Sequence, residues 1–245
     1  MNAPRPEVPS EFARSIWRHA VEDLRTLAWL HAAERDAATW RSLHRAGFPL
    51  GLALPDVRDD GVVVMAQVLT DLDRSIDGDP QAGAIADDEL AADYADIYLT
   101  HALEASPYES VWRDDDHLML QGPTFAVRSF YRRHGVAVPD WRAMPDDHLA
   151  HELGFVAHLL DGGEVEAAMQ FLDRHLLAWL PDFAQRVAQR ARTTVYAGLA
   201  TLTLQACTRL RERLGPPDAA TDPLPTTTGC AQAAPVCGRS CADDR

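Results

Sequence analysis

Residues 10–30 read SEFARSIWRHAVEDLRTLAWL, and the same kind of pattern returns through most of the chain. Ser10 is a residue type that commonly precedes a helix as its N-cap, and apolar residues follow it every three or four positions. Those apolar positions are Phe12, Ile16, Ala20, Leu24, Leu27 and Leu30. Because this spacing places them on one face, the stretch predicts an amphipathic helix that packs against a core.

Similar apolar spacing predicts helices along the rest of the chain. They are expected around Trp40 and Leu43, from Asp59 to Ile76, from the acidic run at Asp87 onward, after Pro123, and over residues 147–160, 164–179, 182–190 and 194–214. The turn residues between Gly78 and Gly83, and Pro181, are expected to interrupt them. No stretch alternates convincingly as a strand. The predicted fold class is therefore all-α, a single compact helical domain of about eight to nine helices.

The charge balance excludes several classes of function. The 245 residues include 37 acidic and 23 basic side chains, which gives a net charge of −14, and every basic residue is an arginine. A chain this acidic lacks the basic face of a nucleic-acid-binding protein, and without lysine it lacks Schiff-base chemistry and a Walker-type phosphate site. No apolar run is long enough to span a membrane, and the first residues do not resemble a signal peptide. We therefore expect a cytoplasmic protein.

Composition divides the chain into three parts. Residues 1–9 hold three prolines and no periodicity, which predicts a flexible N-terminus. Residues 10–214 carry the helical pattern, and residues 215–245 are rich in Pro, Thr, Ala and Gly, which predicts a disordered tail. The tail contains Cys230, Cys237 and Cys241. A structural zinc site needs a fourth ligand and the tail has no histidine, so we expect free thiols and no metal or other cofactor.

Residues 145–152 read PDDHLAHE and combine acids at a predicted helix start with two histidines. His148, His151 and Glu152 could share one helix face, and imidazole and carboxylate groups suit zinc or iron. Their order differs from the known helical zinc motifs, which run His-Glu-x-x-His or His-x-x-Glu-His. Spacing alone favours an Asp N-cap with solvated histidines over a binding surface. A small helical metal-dependent hydrolase that uses these three residues is the alternative function.

A second cluster is aromatic and flanks residues 103–122, where the helical pattern is lost and we expect a long loop. Its members are Tyr94, Ile97, Tyr98, Pro107, Tyr108 and Trp112. Tyrosine and tryptophan offer apolar area with a polar end, which suits a peptide groove, although periodicity alone favours an ordinary core. No catalytic residues are indicated, because Ser110 and Ser129 lack a Gly-x-Ser-x-Gly context and no Gly-rich loop follows a strand.

Three segments, in this order, resemble the TorD/DmsD family of redox-enzyme maturation chaperones. The first runs from Asp93 to Leu99 (DYADIYL) and is followed by Ser106 to Trp112 (SPYESVW). The second is Pro123 to Tyr131 (PTFAVRSFY), and the third is Pro145 to His148 (PDDH), which matches the last four positions of the family's Glu-Pro-x-Asp-His signature. Residues 176–181 and 195–200 also look like family segments. The resemblance covers roughly residues 10–214.

This resemblance implies an all-α fold and a chaperone that is not an enzyme. Such proteins bind the twin-arginine signal peptide, and often the body, of the catalytic subunit of a DMSO-reductase-type molybdoenzyme. They hold it in the cytoplasm until its cofactor is inserted. The resemblance is compatible with either a monomer or a swapped homodimer. The positions that match family peptide contacts are Tyr94, Ile97, Tyr98, Pro107, Tyr108, Asp147 and His148. An acidic protein with an aromatic groove would complement a segment that joins arginines to an apolar stretch.

The chain departs from the family pattern at two places. The glutamate of the signature is Met144 here, and the family's Leu-Phe pair is Ile97-Tyr98. The first change removes a carboxylate, and the second keeps an apolar and aromatic surface of different shape. We expect Tyr98, Tyr108, Asp147 and His148 to lie together on one surface, with Asp147 available to an arginine of the signal peptide.

Overall fold

The computed structural model of this chain describes residues 11–100 and 104–216. Its α-helices are α1 (Glu11–Ala32), α2 (Ala37–Arg45), α3 (Asp60–Ile76), α4 (Pro80–Tyr94), α5 (Glu109–Arg113), α6 (Gly122–Arg133), α7 (Leu149–Asp161), α8 (Val165–Phe171), α9 (Leu177–Arg190) and α10 (Thr194–Leu214). A π-helical segment, Ala95–Leu99, continues α4, and a second, Leu172–Leu176, joins α8 to α9. The ten α-helices of the described residues thus form nine continuous helices and no strand, which confirms the predicted fold class.

The first helix lies along α7, and its predicted apolar face is buried. Leu24, Leu27 and Leu30 are fully enclosed, as their spacing predicts. The side chains of Phe12 and Ile16 lie outside the described residues. α10 packs against both α3 and α9. The largest enclosed side chains are Trp40, Trp179, Tyr131, Tyr196, Phe171 and Phe183.

α3 and α10 approach each other closely at two glycines. A Cβ atom at Gly61 would lie 2.9 Å from the Cα of Leu202, which is closer than real Cβ contacts come. A Cβ atom at Gly198 would lie 3.0 Å from the sulfur of Met65. The missing side chain of Gly61 therefore lets α3 approach the backbone of α10, and that of Gly198 leaves space for the Met65 side chain.

Two sequence predictions about helix boundaries are wrong. The region from Gly78 to Gly83 was expected to be a turn and the acids from Asp87 to begin the helix, but α4 already begins at Pro80. The carboxylate of Asp79 accepts hydrogen bonds from the N–H groups of Gln81 and Ala82, and proline at the first helical position needs no such acceptor. The local N-cap therefore outweighs the turn character of the glycines.

Pro181 does not interrupt its helix either, and it lies inside α9. It sits one turn after the π-helical segment Leu172–Leu176, where the backbone already departs from regular i to i−4 hydrogen bonding. Residues 104–121 are mostly irregular, as expected, apart from α5. The N-terminal residues 1–9 and the cysteine-containing tail beyond residue 216 lie outside the described residues.

No helix in residues 11–100 and 104–216 combines the length and the apolar character that a membrane crossing requires.

Candidate functional site

An isolated antiparallel β-bridge pairs Tyr108 with His148. The N–H of Leu149 donates to the carbonyl of Pro107 at 2.9 Å beside this bridge, and the rings of Tyr108 and His148 meet edge to face with centroids 5.0 Å apart. The bridge therefore joins the SPYESVW segment to the PDDH segment, which lie far apart in the sequence.

Asp147 caps the short helix α5 from outside. Its backbone carbonyl accepts a hydrogen bond from the N–H of Glu109 at 3.0 Å, and its Oδ2 accepts one from the N–H of Ser110 at 2.9 Å. The first N–H groups of a helix have no partner within the helix, so this carboxylate holds α5 against the start of α7. Burial raises the pKa of Asp147, while hydrogen bonds from Ser110 and Thr124 act in the opposite direction.

His148 is the N-cap of α7, where its Nδ1 accepts a hydrogen bond from the N–H of Ala150 at 3.1 Å. An accepting Nδ1 carries no proton, so the neutral ring carries its proton on Nε2. Its ring also lies 6.3 Å from that of Tyr98, measured between centroids. His148 therefore connects the bridge to the π-helical segment that follows α4.

The π-helical segment Ala95–Leu99 directs Tyr98 into the interior, where its ring stacks on that of Tyr94 with centroids 4.6 Å apart. The Tyr98 hydroxyl lies 2.5 Å from Nδ1 of His31, and Nε2 of His31 lies 2.9 Å from Oγ1 of Thr203. Because the Thr203 hydroxyl donates to the carbonyl of Leu199, it accepts from Nε2–H, and Tyr98 donates to Nδ1. Burial lowers the pKa of His31 to about 3, so this ring is neutral at pH 7.

The structure brings together the residues expected to contact a signal peptide, but it buries them. All seven are enclosed: Tyr94, Ile97, Tyr98, Pro107, Tyr108, Asp147 and His148. We expected Asp147 to face an arginine from outside, and instead it is fully buried against α5. The physical reason is that Asp147 Oδ2 and His148 Nδ1 accept hydrogen bonds from backbone N–H groups inside the fold, which offsets part of the loss of water.

A pair of buried acids lies next to this cluster. Glu109 on α5 accepts hydrogen bonds from Arg113 at 2.9 Å and from Nδ1 of His175 at 3.0 Å. Glu152 on α7 accepts one from the indole N–H of Trp179 at 3.1 Å. Burial and the neighbouring charge of Glu109 raise the pKa of Glu152 well above its ordinary value. Burial beside a second carboxyl group therefore favours the protonated form of Glu152 over the charged form.

Two of the three residues of the alternative metal site make other contacts. Nδ1 of His148 is taken by the α7 cap, and Glu152 points to Trp179 in the core. His151 is half-buried, and burial lowers its pKa. No group of three His, Cys, Asp or Glu side chains in the described parts of the chain is arranged to hold a metal ion. The expectation of solvated histidines is wrong for His148, which is enclosed because it caps α7.

The two segments joined by the bridge between Tyr108 and His148 lie within a match to a known protein family. Residues 63–185 match the family model described as "Nitrate reductase delta subunit". A relative from Vibrio cholerae, "Chaperone protein TorD", is 32% identical over 194 residues, which cover 74% of this chain and 84% of the relative. The chain belongs to the TorD family of chaperones.

Other relatives of this TorD-family chaperone carry the same name. The "Chaperone protein TorD" of Vibrio vulnificus is 33% identical over 131 residues, which cover 49% of this chain and 61% of the relative. That of Shewanella oneidensis is 32% identical over 149 residues, which cover 58% and 64%. The resemblance drawn from the sequence motifs is therefore confirmed. Since these relatives are named as chaperones, we assign the chain to chaperones and not to enzymes.

Sequence reasoning missed several residues that hold the site of this TorD-family chaperone together. His31 contacts the hydroxyl of Tyr98 and Thr203 contacts the other ring nitrogen of His31, but the apolar spacing of their helices does not show which residues they meet. Glu109 belongs to the SPYESVW segment, and no feature of that segment indicates that its carboxyl group is buried near Glu152. A polar residue within an otherwise apolar helix stripe is the one signal that marks His31 in the sequence.

Proposed function

We propose that this TorD-family chaperone binds the catalytic subunit of a DMSO-reductase-type molybdoenzyme and holds it until its cofactor is inserted. The observation that carries the proposal is the match to a chaperone over 84% of that relative's length. The matched family model spans the bridge between Tyr108 and His148 and the segments around it. We propose that the protein acts in the cytoplasm. Its proposed oligomeric state is a monomer or a swapped homodimer.

We further propose that the client's twin-arginine signal peptide binds over the buried cluster. Tyr94, Tyr98 and Tyr108 keep about a twentieth of their surface exposed, so the cluster lies just beneath the surface of the protein. Tyrosine side chains offer apolar area that suits the apolar stretch of such a peptide. Asp147 and His148 act from beneath as positioning residues, because they fix α5 and α7 relative to each other.

The charge of the protein supports the same partner. A net charge of −14 attracts a segment that carries consecutive arginines, and it speeds the encounter at low salt. Raising the ionic strength screens such steering between exposed charges. Association of the signal peptide is therefore expected to slow markedly as salt is added, whereas dissociation changes little.

Isothermal titration of the full chain with the client's signal peptide tests this proposal. Tyr108→Leu should weaken binding about tenfold or more, as expected for an aromatic anchor. Ile85→Ala removes an exposed apolar side chain of α4 outside the cluster and serves as the control. Circular dichroism verifies that both variants are folded. Equal affinity of the two variants would remove the cluster from the binding site, and absence of binding to the wild type would overturn the proposal itself.

A further inference from the structure

A groove of about 750 Å³ lies between the segment that contains α5 and one face of α9. Its lining includes Glu104, Trp112, His117, Asp182, Arg186 and Gln189. The indole N–H of Trp112 donates to the carbonyl of Ser106 at 2.7 Å, which fixes the ring in the wall of the groove. This groove adjoins the cluster around Tyr108, because Ser106 and Trp112 belong to the same motif.

An arginine of the protein itself already occupies part of this groove. The guanidinium carbon of Arg186 lies 5.8 Å from the centroid of the Trp112 ring. Its Nη1 lies 3.2 Å from Oε2 of Glu104 and donates to the backbone carbonyl of the same residue at 3.4 Å. An aromatic face, a carboxylate and a carbonyl are the partners that a guanidinium prefers.

Two residues of the groove have a strained backbone. Glu104 and His117 adopt φ angles of +51° and +54°, a left-handed conformation that side chains other than glycine rarely take. His117 is held there by a contact of 2.8 Å between its Nδ1 and the carbonyl of Val111. Such strain persists only where the surrounding structure maintains it, and it is concentrated at ligand sites.

Two carboxylates of the groove are exposed and accessible to a further cation. The Glu104 side chain stays 70% exposed although it pairs with both Arg186 and Arg190. Asp182 is exposed, and it forms no ion pair within residues 11–100 and 104–216. Two carboxylates therefore face solvent in a groove whose aromatic wall is already in place.

We propose that an arginine side chain of the client's signal peptide binds in this groove, against Trp112 and Glu104, in the place that Arg186 now holds. This inference rests on the proposed function and adds the position of one contact. Arg186 then acts as an internal competitor, which keeps the site filled until the peptide arrives. The apolar part of the same peptide would continue over the nearby cluster that contains Tyr94, Tyr98 and Tyr108.

The proposed arginine site can be tested by titrating the full chain with a synthetic peptide. This peptide has two consecutive arginines followed by an apolar stretch. Glu104→Gln should weaken binding about fivefold, since an exposed charge-assisted hydrogen bond is lost. Arg186→Gln should instead tighten binding about threefold, because a competitor is removed. A second peptide with lysines in place of the arginines should bind more weakly than the first, since lysine lacks the planar guanidinium.

Asp88→Asn is the matched control, because it removes one exposed carboxylate from α4 and leaves the groove intact. If Glu104→Gln and Arg186→Gln bind as the control does, the groove assignment is wrong and the proposed function stands. Weaker binding by Arg186→Gln would also overturn the assignment, since Arg186 would then support the peptide. If the wild type binds neither peptide, the proposed function fails and the groove assignment fails with it.

Discussion

The rings of Tyr108 and His148 meet edge to face, 5.0 Å apart between centroids, across an antiparallel β-bridge. Backbone pairing and ring contact thus act at the same two residues. One belongs to the segment that begins α5, and the other caps α7. Changes at either residue should therefore be transmitted to both helices.

Replacing His148 by alanine should lower the free energy of unfolding by about 1–2 kcal/mol, because the N–H of Ala150 loses its buried acceptor. His148→Asn should lose less, since asparagine is a good N-cap residue. Urea denaturation followed by circular dichroism measures both. Equal stability of the two variants would show that ring packing, and not the cap, is what His148 contributes.

Tyr98→Phe should lower the free energy of unfolding by about 1–3 kcal/mol, because Nδ1 of His31 would remain buried without a donor. Tyr94→Phe is the matched control: its ring stacks on Tyr98, and its hydroxyl makes no hydrogen bond within the described residues. Thermal unfolding at pH 7 compares the two. A loss in Tyr94→Phe as large as in Tyr98→Phe would contradict the hydrogen-bonded chain through His31.

The helices that could be predicted are those with a strong apolar stripe. Leu24, Leu27 and Leu30 recur at helical spacing and are fully buried. The sequence predicts the start of α4 near Asp87, later than its true start at Pro80. The reason is that its buried residues, such as Leu90 and Tyr94, are concentrated at its end, so its first turns show no apolar periodicity. Its start depends on the cap at Asp79, a local feature that resembles a turn in the sequence.

The grouping of the site residues was predictable from the motif resemblance, but their burial was not. The partner of Asp147 is a backbone N–H of Ser110, and no sequence pattern shows which distant backbone a carboxylate will meet. Acidic residues at the start of a helix are usually exposed to solvent, so the sequence predicts an exposed Asp147. Long-range pairing therefore decided whether Asp147 faces a ligand or the interior.

Gly61→Ala and Gly154→Ala should change stability in opposite directions. A Cβ atom at Gly61 would meet the backbone of Leu202 at 2.9 Å, so α3 and α10 would have to separate, at a cost of about 1–3 kcal/mol. At Gly154, in α7, nothing lies within 4 Å of the added atom, and alanine should stabilise the helix by about 0.5–1 kcal/mol. Melting temperatures measure both, and a stable Gly61→Ala variant would contradict the close packing of α3 on α10.

The stability of the protein should decline with rising pH because of Glu152. Its pKa is raised well above the ordinary value of 4.5, first by burial and then by the charge of Glu109. The folded state therefore keeps a proton that the unfolded chain releases, so the contribution of Glu152 is fully present below pH 4.5. It falls by up to about 1.4 kcal/mol per pH unit as pH rises toward the folded pKa.

Glu152→Gln should remove this decline, because glutamine stays neutral and its carbonyl oxygen can still accept from the indole N–H of Trp179. We expect the variant to gain stability relative to the wild type between pH 5 and pH 8, as measured by urea denaturation at each pH. Glu89→Gln, which removes an exposed carboxylate from α4, controls for the change in net charge. A difference between Glu152→Gln and wild type that stays constant from pH 5 to pH 8 would mean that Glu152 is ionised in the folded protein.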